Sequence, residues 1–417
     1  MKISNVEVKD LVKQYGSPIY VYDQAEMESK LQAFKECLQS DLFACDVIYA
    51  SKAFNCKAMI QLVQKMDCSL DVVSGGELYT AYQAGFDMKR VYFHGNNKSK
   101  EELEMAIEYG VGTIIVDNCM EAELLTKLAQ NIDHTISILL RVNPGVEAHT
   151  HRYIVTADID SKFGISIEDL AEIKKCISLV HSCENLCFDG FHAHIGSQIF
   201  DKQAYIAEID RLCEFVSRLK IKVSTLNLGG GFGAVYTKED EPIPVQEVCE
   251  TLLTSIKNAC QTYSISIHKI CIEPGRSIAA QAGSTIYTVG FMKKTPHKNY
   301  IFVDGGMSDN IRPALYQAKY DCVINQKEDL PKTTHYKVAG KCCESGDVLI
   351  EDAYLPKVET KDLLVIKTTG AYGYSMSSHY NKALSLPVVF CKEGKSQLVV
   401  AGQTYEDLIR LEKDLCA

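Results

Sequence analysis

The sequence predicts an α/β protein: a (β/α)8 TIM-like barrel joined to a C-terminal β-rich domain that also takes in an N-terminal strand. Short apolar runs alternate with helix-like segments through the first two thirds of the 417 residues, and helices between strands favour a parallel sheet. Polar residues follow these runs. Beyond about residue 280, strand-like runs are separated by turn signals, with few helical patterns between them.

Eight apolar or β-branched runs are the predicted barrel strands. They lie at 47–50, 70–73, 91–93, 113–116, 136–140, 188–191, 226–228 and 270–272. Between the second and third runs, Leu78, Ala81 and Ala84 have helical spacing, and the helical segment 100–109 stops at Gly110. Eight such units fit a barrel of about 250 residues. An open, doubly wound sheet is the competing interpretation.

The β-rich domain is predicted from runs at 301–304 and 363–366 and from frequent glycine turns. The run at 18–22 is expected to pair with it, and a last helix is expected at 405–415. We therefore predict a cofactor-binding barrel at 25–280 and a β-rich domain made of 1–24 and 281–417.

Composition excludes several classes of protein. The net charge of -10 argues against binding to nucleic acids or acidic membranes, and no apolar run is long enough to span a bilayer. The first seven residues lack the features of a leader peptide. The 17 cysteines are expected to be reduced thiols, without the paired spacing of a metal site. We expect a cytoplasmic protein that has no metal.

Polar residues cluster at the predicted carboxyl ends of the strands, where barrel enzymes hold their active sites. They are Lys52, His94, Arg141, His194, Gly229–Gly231, Glu273 and Arg276. Lys52 follows an apolar strand, where desolvation favours the neutral amine that forms a Schiff base with an aldehyde. The alternative is a structural lysine that extends its amine to solvent.

Two further motifs suit a phosphorylated, nitrogen-containing ring. The bare amides of Gly229–Gly233 suit a phosphate, or else form only a tight turn; the prolines in 239–244 argue against the helix that a dinucleotide fingerprint requires. Glu273, beside a pyridine nitrogen, would keep that nitrogen protonated; the alternative is a surface pair with Arg276. His192 and His194 are two residues apart on one strand, so both side chains point to the same face. They could bind a metal; in our preferred interpretation, one ring stacks on a flat cofactor.

Six ordered motifs resemble the fold-type III decarboxylases that use pyridoxal 5'-phosphate (PLP), and within them the diaminopimelate decarboxylases. They cover nearly the whole chain: 49–53, 192–197, 229–233, 273–276, 343–347 and 370–372. The resemblance implies the decarboxylation of meso-2,6-diaminopimelate to L-lysine and CO2. It also implies a homodimer with active sites at the subunit interface.

The resemblance implies a role for each matching residue. Lys52 would carry PLP, His194 would stack on its ring and Glu273 would bind its nitrogen. The phosphate would be held by Ser197, Gly231 and Tyr372, with the amides near Gly275 and Arg276. The substrate would contact Arg276, Arg312, Tyr316, Glu344 and Tyr372. Cys343 would donate the proton and Glu344 would bind the distal amino group, both from the partner subunit.

The subfamily assignment depends on the segments 149–151, 161–165, 304–307 and 312–316. Tyr320 and Lys341-Cys342 depart from the residues that are commoner in this family, which concerns fine specificity. Another fold-type III decarboxylase, acting on ornithine, arginine or a carboxylated polyamine, is the first alternative, but Arg312 suits a distal carboxylate. A racemase is disfavoured by the Cys343-Glu344 turn, and a non-catalytic PLP carrier by the β-rich domain.

Overall fold

A computed structural model describes residues 1–146 and 161–415 of the protein, and the 149–151 motif lies outside them. The strands are β1 (Lys2–Ile3), β2 (Val6–Glu7), β3 (Ile19–Asp23), β4 (Ala44–Ala50), β5 (Ser69–Val72), β6 (Val91–Phe93), β7 (Thr113–Val116), β8 (Ile136–Asn143), β9 (Ile165–Ser166), β10 (Leu186–His192), β11 (Thr225–Asn227), β12 (Lys269–Ile272), β13 (Gly283–Lys294), β14 (Asn299–Val303), β15 (Cys322–Ile324), β16 (Thr334–Ala339), β17 (Val348–Leu355), β18 (Leu363–Lys367), β19 (Val388–Lys392) and β20 (Lys395–Val400). The helices are α1 (Val8–Tyr15), α2 (Gln24–Cys37), α3 (Lys57–Lys65), α4 (Gly75–Gln83), α5 (Lys100–Glu108), α6 (Cys119–Leu128), α7 (Leu170–His181), α8 (Lys202–Leu219), α9 (Val245–Tyr263), α10 (Arg276–Ala279), α11 (Arg312–Tyr316) and α12 (Tyr405–Ile409).

The first compact unit, here called the barrel unit, comprises Ser29–Gly233 and Glu241–Ser277. Its parallel strands follow the order β10, β11, β12, β4, β5, β6, β7, β8, and β10 also pairs with β8, which closes the sheet. Each of the eight predicted runs forms one of these strands. The barrel is therefore confirmed, and the open-sheet alternative is wrong.

Successive side chains of each barrel strand point to opposite faces of the sheet, and those on the inner face form a buried layer. Ile48, Tyr92, Ile115, Leu139 and Cys271 come from five different strands and form one buried cluster. Because each side chain from one strand packs against neighbours from others, the strand ends are held at fixed spacing. This packing makes the carboxyl end of the barrel a rigid platform for polar groups.

Side-chain caps fix the turns that lead from strands into helices. Ser74 accepts a hydrogen bond from the amide of Glu77 at the start of α4, and Asn118 does the same for Glu121 in α6. These caps satisfy amides that a helix leaves unpaired at its first turn. The polar loops after β5 and β7 thereby acquire defined conformations.

The second compact unit, the β-rich unit, comprises Met1–Glu28, Ala234–Asp240 and the chain from Ile278. Its main sheet has the order β17, β16, β14, β13, β3, β19, β20, and β18 pairs with β13 and β15. The N-terminal strand β3 pairs with β13 and β19, as predicted. Its buried side chains Ile19 and Val21 join a core with Ile286, Val365 and Val389.

Two expectations are wrong. The last helix ends at Ile409, because Leu411 and Leu415, with exposed fractions of 82% and 98%, have no packing that would stabilise further turns. The cysteines are not all free: Cys119 at the start of α6 is bonded to Cys176 in α7, with their Cα atoms 5.0 Å apart. This pairing depends on helix packing, which cysteine spacing does not reveal.

Among the described helices, none is long and apolar enough to cross a bilayer.

Candidate active site

Polar residues at the carboxyl ends of the barrel strands converge on the carboxylate of Glu273, which follows β12. Its Oε1 accepts a hydrogen bond from Asn227 Nδ2 at 2.7 Å and lies 2.9 Å from His94 Nε2. Its Oε2 lies 3.2 Å from His192 Nε2. All four residues are buried. Residues at the carboxyl ends of β6, β10, β11 and β12 thus meet at one carboxylate.

The histidines determine the charge of this carboxylate. Burial alone would raise the pKa of Glu273, but the neighbouring His94 and His192 hold that pKa well below its usual value. Burial lowers the pKa of His192 to about 4. A neutral His192 still donates through Nε2–H to an ionised carboxylate. Glu273 therefore carries a negative charge among buried residues.

Lys52 lies in the short turn after β4, between buried Ser51 and Ala53. We expected apolar neighbours to desolvate its amine, but the residue is exposed, so this expectation is wrong. The strand is buried from Val47 to Ala50, and the exposed Lys52 follows in the turn. Burial is the main cause that lowers the pKa of His194, and the charge of Lys52 is the second cause. Lys52 and His194 therefore belong to one electrostatic environment.

The glycine turn after β11 leaves no room for side chains. A Cβ atom on Gly230 would lie 2.2 Å from the Glu273 backbone oxygen, and one on Gly231 would lie 2.7 Å from the Gly196 oxygen. Gly231 has a φ of +96°, which disfavours other residues. The amide of Gly230 donates to His194 Nδ1 at 3.1 Å, so the turn also fixes the ring of His194.

Ser197 and Arg276 form the polar group predicted for the phosphate. Nε and Nη2 of Arg276 donate to Ser197 Oγ at 3.1 and 2.8 Å. Gly275 precedes this arginine, and a Cβ atom there would lie 2.9 Å from the Ala50 Cβ. A hydroxyl, a guanidinium group and bare backbone are the donors that phosphate prefers. The donor set of the barrel unit therefore fits PLP: an amine, a ring-nitrogen acceptor and phosphate donors.

Within the described residues, one group has the composition of a metal site: His94, His192 and Glu273, whose ligand atoms lie within 4.8 Å of one another. The two histidines contact the carboxylate at hydrogen-bonding distances, so these groups are paired with one another. His194, which we had considered together with His192, does not belong to this group.

The β-rich unit carries a buried arginine among aromatic rings. Arg312, at the start of α11, donates from Nη1 to the hydroxyl of Tyr320. Its guanidinium lies 4.9 Å from the Tyr236 ring centroid and 5.6 Å from that of Tyr320. Cation–π contacts keep the charged group in place without neutralising it. Tyr320, the departure from the family pattern, is thus a neighbour of a predicted substrate-binding residue.

The other predicted residues of the β-rich unit lie on turns or, for Tyr316, at the end of a helix. Cys343 and Glu344 are exposed between β16 and β17, and the Cys343 amide donates to Asn381 Oδ1 at 2.7 Å. Tyr372 has a φ of +62°, and Tyr316 ends α11; both are partly exposed. The Cys343 turn is thus ordered by a hydrogen bond, while its thiol and carboxylate remain on the surface.

Sequence reasoning assigned no role to two buried residues. Asn227 binds Glu273 directly, and its polar side chain at the end of an apolar strand was the available signal. Asp71 lies within the apolar run of β5, and its Oδ1 is 3.8 Å from His94 Nε2. A single acid within an apolar run is costly to bury unless it has a partner, which was the signal missed here.

Comparisons with known proteins agree with this geometry. Residues 24–280 match the family model of the pyridoxal-dependent decarboxylase, pyridoxal binding domain. The diaminopimelate decarboxylase of Bacillus subtilis is 46% identical over 99% of this chain and 95% of its own. Solved diaminopimelate decarboxylases in complex with L-lysine are also similar. That of M. jannaschii has a TM-score of 0.90 at 32% identity, covering 97% of this chain and 94% of its own. That of Helicobacter pylori has a TM-score of 0.87 at 30% identity, covering 97% and 98%.

Proposed function

The chain belongs to the diaminopimelate decarboxylases, a family of pyridoxal-dependent enzymes, and from that premise we propose that it converts meso-2,6-diaminopimelate to L-lysine and CO2. The observation that carries the proposal is the buried, ionised Glu273 at the barrel end that also bears Lys52. An anionic carboxylate there suits a protonated pyridine nitrogen.

The cofactor roles proposed for this chain are as follows. Lys52 would bind the PLP aldehyde, His194 would stack on the ring and Glu273 would bind the ring nitrogen. The phosphate would be held by Ser197, Gly231, Gly275, Arg276 and Tyr372. When bound, PLP supplies an electron-withdrawing ring that accepts the electrons of the broken carbon–carbon bond. Glu273 contributes by keeping a negative charge beside the ring nitrogen.

Substrate recognition is assigned to Arg276, Arg312, Tyr316, Glu344 and Tyr372. The buried guanidinium of Arg312 suits a carboxylate because it presents paired donors in a fixed plane. meso-Diaminopimelate has a second carboxylate at its distal end, whereas ornithine and arginine do not. This favours diaminopimelate over the alternative of another fold-type III decarboxylase of basic amino acids or carboxylated polyamines.

The proton that replaces the lost carboxylate is assigned to Cys343, contributed together with Glu344 by a partner subunit. The exposure of both residues on the turn between β16 and β17 supports this, because a residue that serves another subunit must reach the surface. The active form would then be a homodimer.

We also propose domain limits at 24/25 and 280/281. Fourteen free cysteines among the described residues support a cytoplasmic location.

The test is product analysis with PLP-loaded protein and meso-diaminopimelate. We expect L-lysine and CO2 in equal amounts, and neither from a Lys52→Ala variant loaded in the same way. Racemised or unchanged substrate, in a preparation that holds PLP, would contradict the proposal.

A further inference from the structure

Buried polar side chains surround the Glu273 carboxylate. We propose that His94, His192 and Asn227 are positioning residues, which hold the Glu273 carboxylate ionised and oriented so that it keeps the cofactor's ring nitrogen protonated. The inference deepens the proposed function and rests on it. It concerns the residues behind Glu273, none of which is assigned to touch the cofactor or the substrate.

The protein contacts both oxygens of the Glu273 carboxylate. An ionised carboxylate offers about four lone-pair sites. Asn227 Nδ2 donates to Oε1 and His192 Nε2 contacts Oε2, while His94 Nε2 lies 2.9 Å from Oε1 as an ion-pair contact. These contacts leave a lone-pair site for a ring N–H. The arrangement both fixes the plane of the carboxylate and limits what else it can bind.

The three positioning residues His94, His192 and Asn227, here called the clamp, are themselves held in place. Asn227 Oδ1 accepts a hydrogen bond from the Gly229 amide at 2.9 Å, so its amide nitrogen must point to Glu273. The rings of His94 and His192 meet edge to face, with centroids 4.7 Å apart. Each clamp residue therefore has a second contact that restricts its rotation.

The proton of His192 faces Glu273. Among the described residues, buried His192 Nδ1 has no hydrogen-bond partner, which assigns the single proton of this neutral ring to Nε2. Burying an unpaired ring nitrogen is costly, so a purely structural site would favour an apolar side chain. Other titratable groups that interact with Glu273 are Asp71, Arg141, His194 and Cys271.

The clamp acts on the position of one proton. Between a carboxylate and a pyridine nitrogen, the proton stays on nitrogen when the carboxylate is stabilised as an anion, and it moves to oxygen when that stabilisation is lost. A hydrogen bond to a charged group contributes enough to move such an equilibrium about 10- to 100-fold. Removal of one donor should therefore lower the pH at which the ring nitrogen loses its proton by about one to two units.

The experiment reads that proton directly. The protein is loaded with ¹⁵N-labelled PLP, and the nitrogen chemical shift is followed against pH for the wild type, His192→Leu and His192→Gln. We expect His192→Leu to lose the protonated signal at lower pH than the wild type, and His192→Gln, which retains an N–H donor, to recover most of the difference. Glu273→Gln is the reference for complete loss, and His181→Phe on α7 is the control for an unrelated histidine.

Asn227→Ala removes a donor from a different strand and repeats the test if His192→Leu does not fold. Variants that bind PLP with the wild-type titration would overturn the inference while the proposed function stands. Wild-type protein that does not bind PLP would overturn both, so the two failures are distinguishable.

Discussion

The strongest test of substrate recognition is the replacement of Arg312. In Arg312→Met, the substrate's distal carboxylate would lose two charge-assisted hydrogen bonds, each contributing about 1.5–3 kcal/mol. The sum of about 3–6 kcal/mol corresponds to a fall in kcat/KM of about 150- to 25,000-fold. Arg312→Lys keeps the charge but not the paired geometry, so it should lose about the contribution of one bond.

The assay is steady-state CO2 release from meso-diaminopimelate, with thermal unfolding measured in parallel. Tyr320→Phe is the matched control, since it removes the hydroxyl that accepts from Arg312 but leaves the ring in place. We expect a change of less than about tenfold for this control. A fall in kcat/KM of less than tenfold for Arg312→Met, in a folded protein, would refute the assignment of Arg312 to the distal carboxylate.

Four further outcomes are expected. Lys52→Ala loaded with PLP should lack the visible absorbance of the lysine-bound cofactor; a retained band would remove Lys52 from that role. Mixing inactive Lys52→Ala with inactive Cys343→Ala should restore about a quarter of wild-type activity through shared sites in random heterodimers; no recovery after subunit exchange would contradict a Cys343 from the partner. Lys98→Met should lower the free energy of unfolding in urea by about 3–5 kcal/mol, because Glu121, whose Oε1 lies 2.6 Å from Lys98 Nζ, becomes a buried unpaired charge. A double variant that removes both charges should recover most of this loss. Equal losses for the single and the double variant would contradict the prediction. Burial holds the pKa of Glu208 well above its usual value, so this carboxyl ionises at lower pH in the unfolded chain than in the folded protein. The free energy of unfolding should therefore fall by about 1.4 kcal/mol per pH unit between the unfolded and folded pKa values of Glu208. Glu208→Gln should flatten this slope in urea unfolding at several pH values, and equal slopes for the variant and the wild type would contradict the prediction.

The barrel was predictable because most residues of its strands are buried. Such strands appear as apolar runs that polar residues follow, as Ser51 follows Ala50 and Glu273 follows Ile272. The N-terminal strand was predictable for the same reason. The convergence of strand-end residues also followed from the sequence alone, since a closed parallel barrel brings all carboxyl ends to one side.

What the sequence did not reveal depends on contacts across the barrel. The approach of His94 and Asn227 to Glu273 requires the closure of the sheet, which no local pattern encodes. The exposure of Lys52 depends on the direction of a single turn after β4. The bond between Cys119 and Cys176 depends on how α6 packs against α7, and the early end of α12 on the absence of burial for Leu411.

The decisive measurement is CO2 release from the PLP-loaded protein with meso-diaminopimelate, ornithine, arginine and lysine in parallel. We expect turnover of meso-diaminopimelate alone, because only this substrate offers a distal carboxylate to Arg312. Turnover of one of the other three in its place would contradict the distal-site assignment, and the absence of turnover with all four would contradict the proposed decarboxylation.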